Sequence, residues 1–257
     1  MRALSLGFRA YDLHELLVHF VAERAGLYEQ QGVEVELVDL RGGELPHEAT
    51  VACGAALFAA LDGAPVRIVL VASTAPLFWL YGGGPQASCG RIATYPLSAP
   101  PARFLELALR GDASFIAGRN DLERLSLMRA GKADCALLSS ATPPSRVGDL
   151  EQLLCVGDEI RVPSTGLATS AGNEQAVRPL VAAHRRALGL LRSDPALARA
   201  SARDAFGFDD QESEWAVGVA HRYFSADGRI PAGYVDAALR TVGASTSPYA
   251  ACAVAPL

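Results

Sequence analysis

The sequence predicts an α/β protein of two lobes, each a mixed sheet flanked by helices, and three observations support this class. Strand-like and helix-like segments alternate along most of the chain. The alternation occurs twice with a similar order of elements, and a run of amphipathic helices follows. We therefore expect lobe one to comprise residues 1–74 plus 170–257 and lobe two residues 88–163. The hinge crossings are expected near residues 75–87 and 164–169.

The first lobe is organised around a strand–helix–strand unit. Alternating apolar residues that end at Phe8 predict the first strand, and Asp12 stands where a helix N-cap is expected. Glu15, three residues later, completes the pattern of a capping box. Gly26 is expected to end the helix, and residues 33–38 to form a parallel second strand. The carboxyl ends of such strands form the ligand-binding edge of an α/β sheet.

The rest of the first lobe is predicted to contain a short strand, a brief helix and a longer strand. The short strand ends at Cys53, the helix ends at Gly63, and β-branched residues predict a strand from Val66 to Thr74. From Ala75 the pattern changes to aromatic residues and glycine. We interpret this stretch as a crossover with a flexible loop at residues 82–84, because proline rather than a Gly-Lys-Ser/Thr sequence follows the glycines.

The second lobe is predicted to repeat the alternation of strand and helix. Its strands are expected at residues 91–95, 113–118, 133–138 and 153–156. Pro100 opens one helix, with Ser98 as its expected cap, and Asn120 caps the next. The residues expected to form the buried stripe of this second helix are Leu122, Leu125 and Met128.

Four helices and an unstructured tail are predicted for the remainder of the chain. The helices are expected at residues 174–191, from Pro195, at residues 210–224 and from Pro231. The last dozen residues carry no pattern of regular structure.

Composition excludes several classes of function. The 257 residues carry a net charge of −5 without a basic cluster, which argues against a nucleic-acid partner. No apolar run approaches the ~20 residues of a membrane span. No signal peptide is visible, so we expect a periplasmic location if one was trimmed and a cytoplasmic location otherwise. The five cysteines form no CxxC pair, so we expect no metal or other cofactor, and Cys135 and Cys155 are interpreted as small core residues.

Polar residues at strand ends in lobe one are the first half of a candidate ligand site. They are Arg9, Tyr11, His14, Arg41, Cys53, Ser73 and Thr74. Arg9 and Arg41 can bind a carboxylate or sulfonate bidentately, or they can be surface residues that balance nearby acids. His14 lies in a first helical turn, which attracts anions, but it can equally be a solvent-facing turn residue. Cys53 precedes a helix, and small-residue packing is the alternative to a reactive thiol.

Lobe two supplies the second half of the candidate site. Its residues are Trp79, Tyr95, Ser98, Arg119 and Ser140. Tyr95 and Ser98 precede a helix N-terminus, whose N–H groups can hold an oxyanion. Trp79 belongs to an aromatic cluster that either stacks on a planar ligand or packs the hinge.

Four segments, in order, resemble the nitrate/sulfonate/taurine and pyrimidine-precursor group of type II periplasmic binding proteins. They are VAERAGLYEQQGVEVELVDLRGG, GAPVRIVLVAS, RAGKADCALLSS and LRSDPALARASARDAFGF. The resemblance implies two α/β lobes of the type II fold that close on a small molecule, with the C-terminal helices returning to lobe one. It also implies a solute-binding protein of an ABC-type uptake system, with an ABC permease as partner. The ligand it implies is a small, anionic organic molecule (a sulfonate, a carboxylate or a pyrimidine-like compound) held in the interlobe cleft without catalysis.

Two alternatives remain open at the level of sequence. The same fold can host a cytoplasmic enzyme, such as a dehydratase or synthase acting on a small acid. His14, Cys53 and Asp158 are the candidates for its acid, base and nucleophile. The chain can also be a cytoplasmic domain that senses a ligand.

Overall fold

The structure is a computed structural model that describes residues 1–41, 48–84, 88–109, 111–229, 238 and 240–242. The chain forms two units. The first contains residues 1–74 and 162–257, and the second contains residues 75–161. Each unit has its own sheet, which confirms the predicted α/β class with two mixed sheets flanked by helices.

Ten strands occur in the described residues. They are β1 Arg2–Phe8, β2 Val33–Asp39, β3 Ala49–Thr50, β4 Val66–Ser73, β5 Phe78–Gly82, β6 Arg91–Thr94, β7 Ser114–Ala117, β8 Cys135–Ser139, β9 Glu151–Cys155 and β10 Thr165–Ser170. Nine α-helices occur in the same part of the chain. They are α1 Leu13–Arg24, α2 Leu27–Gln30, α3 Cys53–Leu61, α4 Pro100–Ala108, α5 Asp121–Arg129, α6 Val156–Glu159, α7 Arg178–Ser193, α8 Pro195–Phe206 and α9 Asp210–Tyr223.

The first unit is built on a five-stranded sheet in the order β2-β1-β3-β10-β4. Strand β1 runs parallel to β2 and β3, whereas β10 is antiparallel to β3 and β4. The carboxyl ends of β1 to β4 therefore share one edge. Leu6, fully buried, pairs with Leu37 on one side and Ala49 on the other, so apolar residues fix the register.

Helices α1, α7, α8 and α9 belong to the first unit and pack in pairs. Asp12 caps α1 as predicted, accepting the N–H of Glu15 at 3.0 Å. The Glu15 carboxylate does not return to Asp12 but accepts the N–H groups of Arg9 and Ala10, at 2.7 and 3.1 Å. This carboxylate thus fixes the turn between β1 and α1.

The second unit is built on a sheet in the order β7-β6-β8-β5-β9. Strand β6 runs parallel to β7 and β8, and β5 is antiparallel to both β8 and β9. The carboxyl ends of β6 to β9 therefore share one edge, as in the first unit. Asn120 caps α5 as predicted, accepting the Glu123 N–H at 2.9 Å.

Several local predictions are corrected. Residues 78–82, interpreted as part of a crossover, form the buried strand β5 between two neighbours, because their aromatic run fits a sheet core. Cys53 begins helix α3 instead of ending a strand. Ala99, not Ser98, is the N-cap of α4, and no side chain caps that helix. Leu125 of the stripe predicted for α5 is buried as expected, but Leu122 is 78% exposed, because Asp121 and Arg124 occupy the rest of the inward face.

The cysteines also differ from the interpretation. Cys135 is buried, but it forms a disulfide with Cys89 in addition to filling the core. Cys155 is buried near the end of β9. The predicted helix after Pro231 and the tail lie largely outside the described residues, as do Gly42 and Gly43 after β2. Among the helices described, none combines the length and the apolar character needed to span a bilayer.

Candidate functional site: the carboxyl edges of the two sheets

Arg9 follows β1 at the carboxyl edge of the first sheet. Its side chain is half-buried. Burial raises the pKa of the Glu15 carboxyl to about 7. The two main-chain N–H bonds to this carboxyl lower the pKa, and the nearby positive charge of Arg9 lowers it to a smaller degree. Arg9 is therefore a guanidinium held on a fixed turn at the edge where an α/β sheet binds ligands.

Arg41, which follows β2, is placed differently. Its side chain is 74% exposed and pairs with Asp39, with Nε 2.8 Å from a carboxylate oxygen. Hydrogen bonds from Arg41 hold the pKa of Asp39 below its usual value. This is the charge-balancing arrangement that the sequence left open as the alternative for this arginine.

Three other predicted residues of the first unit are turned into the fold. His14 is 4% exposed, and burial lowers its pKa to about 3, so the ring is neutral. Cys53 is fully buried, with its thiol 3.7 Å from the carbonyl oxygen of Leu70. The Ser73 hydroxyl is buried and donates to the carbonyl of Tyr223 at 3.0 Å.

Thr74 and Tyr11 are more accessible. Thr74 is half-buried at the end of β4, and its carbonyl accepts the N–H of Val162 at 2.8 Å, where the chain returns to the first unit. The Tyr11 ring contacts Phe8, the last residue of β1, and also packs against Phe20 and Phe206, with centroids 5.8, 5.8 and 5.9 Å away, respectively.

The second sheet carries a buried polar network at its carboxyl edge. The Asp121 carboxylate accepts the hydroxyls of Ser139 at 2.8 Å and Thr142 at 2.7 Å, and it pairs with Arg124. The Arg124 side chain is 1% exposed, and its Nη1 donates to the carbonyl of Gly118 at 2.9 Å. The network thus ties the ends of β7 and β8 to the first turn of α5.

Tyr95 is the predicted site residue that this network holds. The Arg124 guanidinium lies 3.7 Å from the centroid of the Tyr95 ring, and Phe78 meets the same ring edge-on at 5.6 Å. Tyr95 is half-buried, so it is fixed from within and still partly accessible. Thr94, one residue earlier, has a fully buried hydroxyl with no hydrogen-bond partner in the described part of the chain.

The remaining predicted residues of the second unit range from fully buried to exposed. Trp79 is a 4% exposed core residue of β5, in line with the packing alternative. Ser98 is exposed, and Arg119 is 89% exposed and pairs with Glu123 at 3.0 Å. Ser140, directly after β8, is fully buried.

Two prolines remove N–H donors from the start of α4, where an oxyanion site was expected. Pro100 and Pro101 occupy the first two helical positions and have no N–H. The N–H of Ala102 donates to the carbonyl of Ala99 at 3.1 Å. This helix start therefore offers few donors to an anion.

Sequence reasoning missed Asp121 and Arg124 because it assigned the inward face of α5 by apolar periodicity. The available signal was an acid and a base three residues apart, directly after an N-cap, followed by Ser and Thr after the next strand. Among the described residues, no group of three or more His, Cys, Asp or Glu side chains is arranged to hold a metal ion.

Comparison with known proteins identifies the fold. No protein-family model and no curated protein sequence matches the chain. Among solved structures, the alkanesulfonate-binding protein SsuA from Xanthomonas axonopodis pv. citri, bound to MOPS, is 16% identical with a TM-score of 0.71, covering 94% of this chain and 91% of that one. The nitrate-binding protein NrtA from Synechocystis PCC 6803 is 14% identical with a TM-score of 0.60, covering 82% and 69%.

A third structure gives the fold its general name. The Candida albicans CA3427 gene product, described as having the generic periplasmic binding protein fold, is 14% identical with a TM-score of 0.68, covering 95% of this chain and 90% of that one. The chain therefore has the fold of periplasmic binding proteins. Within that class the resemblance to the type II sulfonate and nitrate group is confirmed at the level of the fold.

Proposed function

We propose that this chain captures a small organic anion as the substrate-binding component of an ABC-type uptake system. The observation that carries the proposal is the position of Arg9 and Tyr95 at the carboxyl edges of their sheets. Solved neighbours with this fold are named as alkanesulfonate-binding and nitrate-binding proteins. An arginine can bind the sulfonate or carboxylate group of a ligand, and an aromatic ring can contact the apolar part of the same ligand.

In this proposal, Arg9 supplies charge and Tyr95 supplies contact area. Arg9 stands on the turn fixed by the Glu15 carboxylate, so binding need not order that turn. Tyr95 is supported by Arg124 and Phe78, so its ring is also in place before a ligand arrives.

The first experiment is a ligand panel of sulfonates, carboxylates, nitrate and pyrimidines, read by thermal melting and calorimetry. A ligand at about a hundred times its Kd stabilises the folded state by about 2.7 kcal/mol, which raises the midpoint by about 5 °C or more. No shift with any member of the panel at millimolar concentration contradicts the proposal.

Substitutions test whether Arg9 and Tyr95 bind the ligand. Arg9→Gln removes a charge-assisted hydrogen bond and should weaken anion binding about 10- to 100-fold. Arg2→Gln is the matched control, because Arg2 is an exposed arginine at the opposite end of the same strand. Tyr95→Phe should retain affinity and Tyr95→Leu should lose it. Equal affinity of the Arg9 and Arg2 variants would exclude Arg9 from the site.

We also propose that the protein works outside the cytoplasm. The Cys89–Cys135 disulfide supports this location, because such bonds persist mainly in oxidising compartments. Thiol labelling of protein trapped with acid directly from cells should find this pair oxidised. Labelling of both cysteines in freshly trapped protein would contradict the proposal.

A further inference from the structure

A pocket in the first unit is not explained by the proposed capture of an anion. Its volume is about 330 Å³, which is in the range of small-molecule sites. It is formed by the turn before α1, by α1 itself and by α8. The residues that give it its chemistry are Tyr11, Phe20, Glu23, Arg24, Ser201 and Asp204.

Aromatic rings form one wall of the pocket. Tyr11 and Phe20 lie 5.8 Å apart, and Phe206 backs both of them at 5.9 and 5.6 Å. Tyr11 is nevertheless 49% exposed, which is high for an aromatic side chain in an aromatic cluster. A ligand that covers this ring removes apolar surface from water.

Ser201 supplies an unsatisfied polar atom on the α8 side. The residue is 2% exposed, and its Oγ has no hydrogen-bond partner in the described part of the chain. A buried hydroxyl without a partner costs free energy, which a polar group of a ligand can recover. The hydroxyl can donate or accept, so it selects for a polar atom and not for a particular charge.

Among the residues that line the pocket, two acids and one base leave an excess of one negative charge. Arg24 forms an ion pair with Asp204, and Arg203, which lies outside the lining, approaches Asp204 at 3.7 Å and Asp210 at 3.5 Å. Glu23 is exposed and forms no ion pair within the residues that the structure describes. Burial and, to a lesser degree, the Glu23 carboxylate raise the pKa of the Tyr11 hydroxyl. The ring is therefore neutral at physiological pH, and its face is available to a cation.

We propose that this pocket is a second binding site, which takes a small organic cation with an ammonium group beside an aromatic ring. The ammonium pairs with Glu23, the ring covers Tyr11 and Phe20, and a polar atom of the ligand bonds Ser201. The sign of the ligand's charge is opposite to that proposed for the carboxyl edges. The two sites can therefore be tested separately in the same protein.

The test is calorimetric titration of the full chain with 2-phenylethylammonium. Phenylacetate and 2-phenylethanol are the comparison ligands, because they keep the ring and make the charge negative or remove it. We expect saturable binding of the ammonium compound and at least tenfold weaker binding of the other two. No saturable binding at concentrations up to about 10 mM, or equal binding of all three, overturns the proposal.

Variants locate the binding. Glu23→Gln and Tyr11→Leu should each lower affinity for 2-phenylethylammonium about tenfold, and Ser201→Ala about threefold. Glu34→Gln is the matched control, because Glu34 is an exposed glutamate on β2 outside the pocket. Affinity that is unchanged in both the Glu23 and Tyr11 variants overturns the assignment of this pocket. Circular dichroism and thermal melting of each variant separate lost binding from lost folding.

Discussion

Acid should unfold the first unit through a buried chain of three side chains. His19 Nδ1 lies 2.9 Å from the Tyr28 hydroxyl, and the same hydroxyl lies 2.9 Å from His184 Nε2. All three side chains are at least 95% buried, and they join α1, α2 and α7. The hydroxyl has one proton, so it donates to one imidazole and accepts from the other, and both rings are neutral.

The size of the effect follows from the pKa values. Burial lowers the pKa of His19 to about 4 and, with a smaller contribution from His19, that of His184 to about 3. The unfolded chain binds these protons near pH 6.5, so the stabilisation is complete above that pH and is lost as the pH falls toward 4. Each histidine contributes a slope of about 1.4 kcal/mol per pH unit in that window, which amounts to about 3 kcal/mol per histidine between pH 6.5 and pH 4. A typical domain has only about 5–15 kcal/mol to lose.

The assay needs a signal from the first unit alone. The chain has two tryptophans, Trp79 in the second unit and Trp215 in the first. In a Trp79→Phe background, urea unfolding followed by Trp215 fluorescence gives the free energy of unfolding at pH 7.5, 6.5, 5.5 and 4.5. His184→Gln keeps a hydrogen-bonding group near Tyr28 and should reduce the slope below pH 6.5 by about 1.4 kcal/mol per unit.

The comparison between variants isolates the histidine from other buried groups. His14, with its pKa lowered to about 3, adds to the same slope. Glu15 opposes it, because burial raises its pKa to about 7 and its stabilisation is lost as the pH rises from about 4.5 through 7. A slope in His184→Gln equal to that of the parent protein would refute the argument.

Three further predictions concern packing and covalent links. Replacing Cys89 and Cys135 by alanine opens a 46-residue loop and should lower the stability of the second unit by about 4 kcal/mol, measured by urea unfolding with Trp79 as the only tryptophan. Asp121→Asn leaves the buried guanidinium of α5 without its counter-charge and should cost about 3–5 kcal/mol in the same assay. Gly166→Ala should prevent β10 from pairing normally, because a Cβ there overlaps the main chain of β4, and the melting midpoint of the first unit should fall.

Matched controls accompany these changes. Arg119→Gln breaks an exposed pair beside Asp121 and should leave the free energy of unfolding nearly unchanged, because solvent screens exposed pairs. Gly189→Ala places a Cβ in open space within α7 and should stabilise the first unit by about 0.5–1 kcal/mol. Equal effects of Asp121→Asn and Arg119→Gln, or of the two glycine variants, would contradict the burial and overlap described.

The order of elements could be predicted from the sequence because local signals agree with the fold. Asp12 and Asn120 both cap helices as their positions suggested, and strands β1, β2 and β4 lie within a few residues of their predicted ranges. Strand β5 was missed because it ends in the first of three glycines that a proline follows, a sequence that is typical of a loop. Its antiparallel pairing with β8 and β9 is a long-range contact that no local pattern encodes.

The candidate site was harder to predict than the fold. Strand ends can be located from sequence, and Arg9 and Tyr95 were named on that basis. Whether a side chain at such an end points outward depends on tertiary packing. His14 and Cys53 were named as strand-end residues, but they lie in the first turns of α1 and α3, and both are buried. Arg124 was missed because a fully buried arginine is rare, and its burial depends on Asp121, its partner one turn away.

The buried pair beneath Tyr95 bears on the sign of the proposed ligand's charge. Asp121 neutralises Arg124, so the pair adds no net charge to the edge of the second sheet. The Arg124 guanidinium nevertheless lies 3.7 Å from the centroid of the Tyr95 ring and attracts the π electrons of that ring. A ring polarised in this way attracts a second cation less than the Tyr11 ring does, since Tyr11 has a carboxylate nearby and no cationic side chain over its face among the residues that the structure describes. The environments of the two tyrosines thus favour opposite charges, an anion near Tyr95 and a cation near Tyr11.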